Sequence, residues 1–182
     1  MPPVQPRSTL SQLSSPERRS RSAEALEAGA FELFGWLPVA DTDPRDALHH
    51  LEFEWSDSHV NVIAHRADEI PRSGGVVRCT EMFRHDTHTQ ALLVLDVPCV
   101  LAVAEPTVRF TSAGDAAAIR AFRLEPLDAV VLHRGTWHWG PHPLHAGEAH
   151  LFNVQGWRYL EDNTRADLDA VGAAVDILVG GF

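Results

Sequence analysis

The sequence predicts an all-β protein, with the strands forming a β-sandwich or a β-barrel. Short apolar or alternating runs recur along the middle of the chain, turn-forming residues separate them, and no helical pattern lies between them. Spacings of roughly 8–12 residues between such runs are typical of sandwiches and barrels. The runs cover residues 59–64, 91–95, 97–104, 119–124, 128–132 and 150–155.

Each run has a pattern that predicts how its strand is buried. Residues 59–64 and 119–124 alternate between apolar and polar side chains, which predicts strands with one buried face. Residues 91–95, 97–104 and 128–132 are nearly continuous apolar runs, typical of strands buried in the core. The turns between the runs contain glycine and proline, which are common where a chain reverses direction.

The two ends of the chain differ from this middle region. Residues 1–22 are rich in proline, serine and arginine, so we expect a mobile tail, followed by a single domain over residues 23–182. A short helix is expected after Ser22, over residues 23–28. A second helix is expected from about residue 165, because Thr164 can cap it. Apolar residues follow at helical spacing: Leu168, Val171, Ala174, Val175 and Leu178.

Composition excludes several classes of function. All 15 cationic side chains among the 182 residues are arginine, so neither a Schiff-base lysine nor the lysine of a phosphate-binding loop is present. The formal net charge of -10 argues against a nucleic-acid partner, because nucleic-acid-binding domains usually carry a basic face. The sequence has no apolar stretch of about 18 residues, so we expect no membrane partner.

Localisation is predicted from the N-terminus and the cysteines. The N-terminus lacks the apolar core of a signal peptide, so we expect a cytoplasmic protein. Cys79 and Cys99 form no close pair in the sequence and are expected to be small buried apolar residues in a reducing compartment.

Histidine is the residue type that suggests chemistry, because imidazole exchanges protons and binds metals near neutral pH. Two clusters stand at strand ends: residues 84–90 precede a predicted strand, and residues 133–143 follow one. Such positions lie near the mouth or the lumen of a small barrel, where one small ligand can bind. His142 and His145, in a segment rich in glycine and proline, are expected to be exposed to solvent. Trp137 is expected either to pack or to line a pocket.

The second cluster resembles the second conserved motif of cupins. Asp128 precedes an apolar strand, and Gly135 and His138 follow that strand at the motif's spacing. The resemblance implies a cupin-type β-barrel, also described as a double-stranded β-helix or jelly roll.

When the first cupin motif is aligned with the chain around residues 84–90, the resulting set of metal ligands is incomplete. The set implied by both motifs is Phe83, His85, Gln90 and His138. Phenylalanine cannot ligate a metal, and glutamine is a poor substitute for carboxylate. His88 could complete the set. We therefore expect either no cofactor or a divalent metal with candidate ligands His85, His88, Gln90 and His138.

Three segments in the right order resemble the ureidoglycolate lyase family, which has a cupin-type barrel. They are residues 31–35, residues 84–91, and residues 133–138 continued by 142–144 after an insertion of three residues. The likeness covers about residues 31–163. The chain departs from the family pattern in the region expected to form the pocket, at Phe83, Asp86, His88 and residues 139–141.

The resemblance implies a carbon–nitrogen lyase that cleaves ureidoglycolate, or a related small ureido or amide acid, to urea and glyoxylate. This reaction belongs to purine catabolism and allantoin degradation, and the family implies a homodimer. His85 or His138 would be the base, and Gln90 would bind the ureido group. Substrate-binding candidates are Arg84, His88, His133, Arg134 and Trp137, with either arginine able to pair with the substrate carboxylate.

Two other functions are compatible with the same residues. One is a metal-dependent cupin enzyme of secondary metabolism that acts on a different small substrate. The other is a non-enzymatic barrel that binds a small carboxylate. All three functions imply a small-molecule ligand.

Overall fold

The structure is a computed structural model that describes residues 19–38, 49–54 and 57–180. Fifteen strands account for most of its regular structure in these ranges. The first eight are β1 (Arg19–Ser22), β2 (Glu24–Ala25), β3 (Gly35–Trp36), β4 (Ser58–Arg66), β5 (Arg72–Ser73), β6 (Val76–Cys79), β7 (Glu81–Arg84) and β8 (Gln90–Val94). The others are β9 (Cys99–Ala104), β10 (Arg120–Leu124), β11 (Ala129–Leu132), β12 (Trp137–Pro143), β13 (Glu148–Gly156), β14 (Thr164–Asp167) and β15 (Val175–Leu178).

The helical segments are short. An α-helical turn, α1, spans Ala28–Phe31, and two 3-10 helices span Ala67–Glu69 and Ala113–Ala118. None of the helices in the described part of the chain has the length and apolar character needed to cross a membrane.

The strands form three sheets that are stacked as layers. The outer sheet has the order β1-β15-β6-β5, the central sheet β14-β7-β12-β9-β10-β2, and the front sheet β3-β11-β8-β13-β4. The β1–β15 and β2–β10 pairs are parallel, and the other paired neighbours are antiparallel. The mostly antiparallel all-β arrangement confirms the predicted fold class and is consistent with a cupin-like fold.

Strand β9 is buried on both faces and contributes to two hydrophobic cores. Val100 and Ala102 belong to the outer core, which lies between the outer and central sheets. Leu101 and Val103 belong to the inner core, between the central and front sheets. A strand covered on both sides has no polar face, which explains why this run is continuously apolar.

The predicted strands of the middle region are confirmed. The six runs correspond to β4, β8, β9, β10, β11 and β13. Strand β4 alternates strictly between half-buried and exposed residues, as its sequence pattern indicates. Cys79 and Cys99 are buried and unpaired, and burial raises the pKa of the Cys99 thiol to about 12.

The predictions for the N-terminal region require correction. Residues 1–18 of the predicted tail lie outside the described residues, but Arg19–Ser22 form β1, parallel to β15. The predicted helix over residues 23–28 is wrong in its position, because α1 begins only at Ala28. Glu24 instead pairs with Phe122 in the central sheet, and its carboxylate accepts a hydrogen bond from Arg120. These tertiary contacts outweigh the local helical propensity of the segment.

The predicted C-terminal helix is also wrong. Strands β14 and β15 occupy that segment, and a turn that contains Gly172 at φ 70° separates them. Val175 and Ile177 are buried while Asp176 between them is half-buried, which is a period of two and not a helical period. Strand β15 lies between β1 and β6, so its backbone groups pair on both sides.

Gly35 permits the close approach of β3 to β11. It pairs with Leu132, and a Cβ atom placed on Gly35 would lie 1.8 Å from the carbonyl oxygen of Val131. No side chain fits at that distance, so glycine is required here by contact with a neighbouring backbone.

We predict that Gly35→Ala lowers the free energy of unfolding by about 1–3 kcal/mol, because β3 must move away from β11. The matched control is Gly29→Ala in α1, where an added Cβ would meet no atom within 4 Å. Chemical denaturation of both variants checks this. Equal stability of Gly35→Ala and wild type would contradict the close packing of β3.

Candidate active site

A cavity of about 360 Å³ opens between the central and front sheets. Volumes of this size hold small molecules. Three of the predicted site residues line it: His85, Gln90 and His138. Phe83, Tyr159 and Asn163 also contribute to its wall. The two cupin-like sequence clusters therefore meet at one place, as their positions at strand ends predict.

His85 is held by a backbone carbonyl group. It follows β7 directly, is only 8% exposed, and its Nδ1 donates a hydrogen bond of 2.6 Å to the carbonyl oxygen of Asp162. A carbonyl oxygen only accepts, so Nδ1 carries the proton and Nε2 keeps its lone pair. Burial lowers the pKa of His85 and favours the neutral ring.

His138 has the same tautomer and is also neutral. It lies on β12, opposite Phe83 of β7, and its Nδ1 donates to the carbonyl oxygen of Thr136 at 3.2 Å. Burial, together with the nearby His85, lowers the pKa of His138 to about 3. The two ring centroids are 5.4 Å apart. The cavity wall therefore carries two neutral imidazoles close together, each with an unprotonated Nε2.

Asp162 fixes the loop between β7 and β8. Its carboxylate accepts hydrogen bonds from the backbone N–H groups of Asp86 and Thr87 and from the Thr87 hydroxyl. Burial alone would raise the pKa of Asp162, but these hydrogen bonds and His88 outweigh it, so the pKa is lowered. Asp162 is therefore an anionic anchor, and nothing in the sequence pattern around it indicated this role.

His88 packs against the ring of His85 and does not line the cavity. Its ring is stacked on that of His85, with centroids 4.6 Å apart, and its Nδ1 lies 3.3 Å from a carboxylate oxygen of Asp162. Burial and the neighbouring His85 lower the pKa of His88 to about 4. Its Nε2 is buried without a hydrogen-bond partner.

Gln90 belongs to a buried network of amide side chains. Its Nε2 donates to the side-chain oxygens of Asn153 at 2.9 Å and Gln155 at 3.3 Å, and Asn153 in turn donates to Asn61. Two acceptors on one side fix the orientation of the Gln90 amide. Its Oε1 remains buried without a partner, as an acceptor able to bind a ligand N–H group.

The structure does not bring Arg84 and Trp137 to the cavity. The Arg84 guanidinium lies 4.8 Å from the centroid of the Trp137 ring and forms an ion pair with Asp86. The indole of Trp137 donates to the carbonyl oxygen of Val108 and packs edge-on against Phe110 in the outer core. Both residues therefore stabilise the far side of β12.

His133 and Arg134 also lie outside the cavity, in the exposed turn after β11. The His133 ring packs against Trp36, with centroids 5.4 Å apart. Arg134 forms ion pairs with Glu52 and Glu54. The predicted pairing of Arg84 or Arg134 with a substrate carboxylate is therefore not supported by their positions.

A second group of polar residues lines the same cavity and was missed in the sequence. It consists of His65 on β4, Glu69 on the following 3-10 helix, and His142 on β12. The expected exposure of His142 is wrong, because it is 7% exposed and packs against Trp139. Burial, His65 and Arg72 lower its pKa to about 3. The inward positions of β4 could have revealed His65, because alternate residues share one face.

Two clusters among the described residues could hold a metal ion. They are His85, His88 and Asp162, and separately His65, Glu69 and His142. In the first cluster both carboxylate oxygens of Asp162 already accept hydrogen bonds. On the cavity side Gln90 offers only a neutral oxygen, and Phe83 contributes no ligand atom. The cupin-like ligand set therefore fits a divalent cation poorly, and we assign it no metal-dependent step.

The all-β fold with two neutral histidines in one cavity defines a cupin-like enzyme site that is suited to proton transfer. Comparison with protein families supports this: the family model described as ureidoglycolate lyase matches residues 22–173. The chain belongs to the ureidoglycolate lyase family and is therefore an enzyme, a lyase, which sets aside the non-enzymatic alternative. Comparison with curated proteins gives no match.

The buried histidines predict that acid destabilises the protein. Their pKa values lie below the ordinary 6.5 in the folded chain, so the unfolded chain binds more protons below that pH. Their contribution is complete above pH 6.5 and is lost as the pH falls towards about 3 for His138 and about 4 for His88. Each can lower the free energy of unfolding by up to about 1.4 kcal/mol per pH unit.

Urea denaturation at a series of pH values between 7 and about 5 measures this dependence. The slope is expected to be shallower in His138→Gln, which removes one of the titrating groups. His150→Gln is the contrasting variant: Asp96 raises the pKa of this exposed histidine, so its removal should not make the slope shallower. An unchanged slope in His138→Gln would show that this ring is not kept neutral by burial.

Proposed function

We propose that the protein cleaves ureidoglycolate, or a closely related small ureido acid, into urea and glyoxylate by acid–base catalysis. The observation that carries the proposal is the pair of neutral histidines, His85 and His138, whose Nε2 atoms are unprotonated in the cavity that Gln90 also lines. Membership of the family supports the choice of substrate.

The reaction needs one proton to move within the substrate. A histidine Nε2 removes the proton of the hydroxyl group, the electrons of that O–H bond form the carbonyl of glyoxylate, and the carbon–nitrogen bond breaks. The departing urea nitrogen then takes up one proton, so the base is restored and no water is consumed. Either His85 or His138 can remove the proton, because both have an unprotonated Nε2, and the ring that takes up the proton then returns it to the urea nitrogen.

Gln90 is suited to orient the ureido group. Its Oε1 can accept a hydrogen bond from a substrate N–H, while its own N–H₂ group is held by Asn153 and Gln155. An acceptor that is already oriented and partnerless binds without losing a competing hydrogen bond inside the protein. Gln90 therefore positions the leaving group, and the histidines move the proton.

The substrate carboxylate is bound without an arginine from the described cavity wall. No arginine is among the described residues that line the cavity. The neutral donors in the cavity wall include the Tyr159 hydroxyl and the Asn163 amide. Glu81, also in the wall, is paired with Arg165 and so adds little net negative charge.

The proposed reaction also implies a metabolic pathway and a cellular location for the enzyme. Release of urea and glyoxylate would place it in purine catabolism, in the degradation of allantoin. We propose a cytoplasmic enzyme with a small-molecule substrate. The proton transfer as proposed uses histidine alone, and a divalent metal is the alternative that the sequence also left open.

Wild-type protein given ureidoglycolate is expected to release glyoxylate and urea in equal amounts, measured with a carbonyl reagent and a urea assay. Of the two variants His85→Gln and His138→Gln, the one that removes the base should lower kcat/KM by about 100- to 10,000-fold, the usual contribution of a general base. Gln90→Leu should mainly raise KM. His150→Gln, at an exposed histidine, is the matched control. Failure of the wild-type protein to release glyoxylate would refute the proposal.

A homodimer is expected from the family resemblance and from the prevalence of two-fold symmetric oligomers. Light scattering coupled to size-exclusion chromatography should give a mass about twice that of the 20.1 kDa chain. A mass equal to that of one chain, at concentrations used for the activity assay, would contradict the dimer.

A further inference from the structure

From the geometry of the cavity we infer that His65, Glu69 and His142 form a binding site for a divalent transition-metal ion such as Zn²⁺. We call these three residues the His–Glu–His cluster. It is separate from the cupin-like positions of His85 and His138, although both groups line the same cavity.

The cluster is assembled from two sheets. His65 lies near the end of β4 in the front sheet, and Glu69 ends the 3-10 helix that follows β4. His142 comes from β12 in the central sheet, and its ring meets that of His65 edge-on with centroids 4.7 Å apart. The fold therefore brings His142 next to His65 and Glu69, which are four residues apart and lie much earlier in the sequence.

The distances suit coordination of one ion. A ligand atom from each of the three residues lies within 4.8 Å of the other two. Two ligands bound tetrahedrally to Zn²⁺ are about 3.4 Å apart, and His65 Nδ1 lies 3.4 Å from Glu69 Oε2. The Glu69 side chain is 44% exposed, so it can adjust to close the remaining distance to His142.

A register shift in β12 brings His142 to the cluster. The pairing of β12 with β9 is regular from Trp137 to Trp139 and then shifts before His142. Gly140 in this bulge has φ 88°, and a Cβ there would lie 2.7 Å from the His142 backbone nitrogen. The bulge contains residues 139–141, which form the insertion relative to the family pattern.

His142 is the strongest single indication of a ligand. Its side chain is more than nine-tenths buried, it lines the cavity, and its Nδ1 has no hydrogen-bond partner. A buried polar atom without a partner is rare and costs free energy. A metal ion would satisfy a ring nitrogen here, while two histidines and one carboxylate leave coordination positions open toward the cavity.

The bound ion would also supply positive charge where the substrate binds. The described cavity wall contains no arginine, although the substrate of the proposed function is a carboxylate. A divalent cation held by Glu69 and the two neutral rings would leave a net charge of about +1 to attract that carboxylate. This role rests on the proposed function, whereas the metal site itself rests only on the cluster.

Metal binding can be measured without substrate. Full-length protein free of any histidine tag, stripped with a chelator, should bind one Co²⁺ per chain with visible absorption bands typical of four- or five-coordinate cobalt. Calorimetry with Zn²⁺ should give the same stoichiometry. His65→Ala and Glu69→Gln should each weaken binding by at least about tenfold, because loss of even an outer-shell partner can have that effect.

Matched variants distinguish this site from the alternatives. Asp68→Asn makes the same charge change beside Glu69, and Asp68 pairs with Arg66 instead. His59→Ala removes a histidine from the same strand, where it packs against Trp157. Both controls should bind metal like wild type. Thermal unfolding without metal verifies that each variant is folded.

Three results would overturn the inference. The first is that wild type binds no stoichiometric metal. The second is that metal binding survives both His65→Ala and Glu69→Gln, and the third is that His85→Gln abolishes binding while those two variants retain it. Glyoxylate release from a protein that binds no metal would refute the metal site and leave the lyase intact. Stoichiometric metal without glyoxylate release would support the site and refute the proposed cleavage of ureidoglycolate.

Discussion

The double burial of β9 is the constraint on which the architecture depends. Its alternate side chains serve the outer and inner cores, so the central sheet must be covered on both faces. Strand β12 pairs with β9, and β7 pairs with β12, so the position of His138 opposite Phe83 follows from this arrangement. The cavity lies where polar side chains replace the apolar packing between the central and front sheets.

Within the cavity, burial and backbone carbonyl groups together determine the chemistry. Desolvation keeps His85 and His138 neutral, and a carbonyl oxygen on each Nδ1 fixes the tautomer. Neither desolvation nor the hydrogen bond to a carbonyl oxygen requires a charged partner close to the reacting atoms. Burial likewise lowers the pKa of His142 on the far wall of the cavity, which favours the neutral ring.

Patterns of local sequence predicted the strands that have strong periodicity, and the motif spacing predicted that His85, Gln90 and His138 would meet. The prediction failed where partners distant in sequence decide the structure. Strand β15 has a helical apolar spacing, yet pairing with β1 and β6 makes it a strand. The sequence also could not predict the direction in which individual side chains point. Arg134 stands next to a motif glycine but pairs with glutamates at the surface.

Asp162 contributes to the site through two chemically different groups, and only one of them belongs to its side chain. The carboxylate orders the loop after β7, whereas the backbone carbonyl fixes the tautomer of His85. Every amino acid has that carbonyl, so the tautomer depends on the path of the main chain and not on the identity of residue 162. Replacing the Asp162 side chain would therefore remove the hydrogen bonds that order this loop and keep the carbonyl group, whereas an insertion or deletion beside residue 162 would move the carbonyl itself.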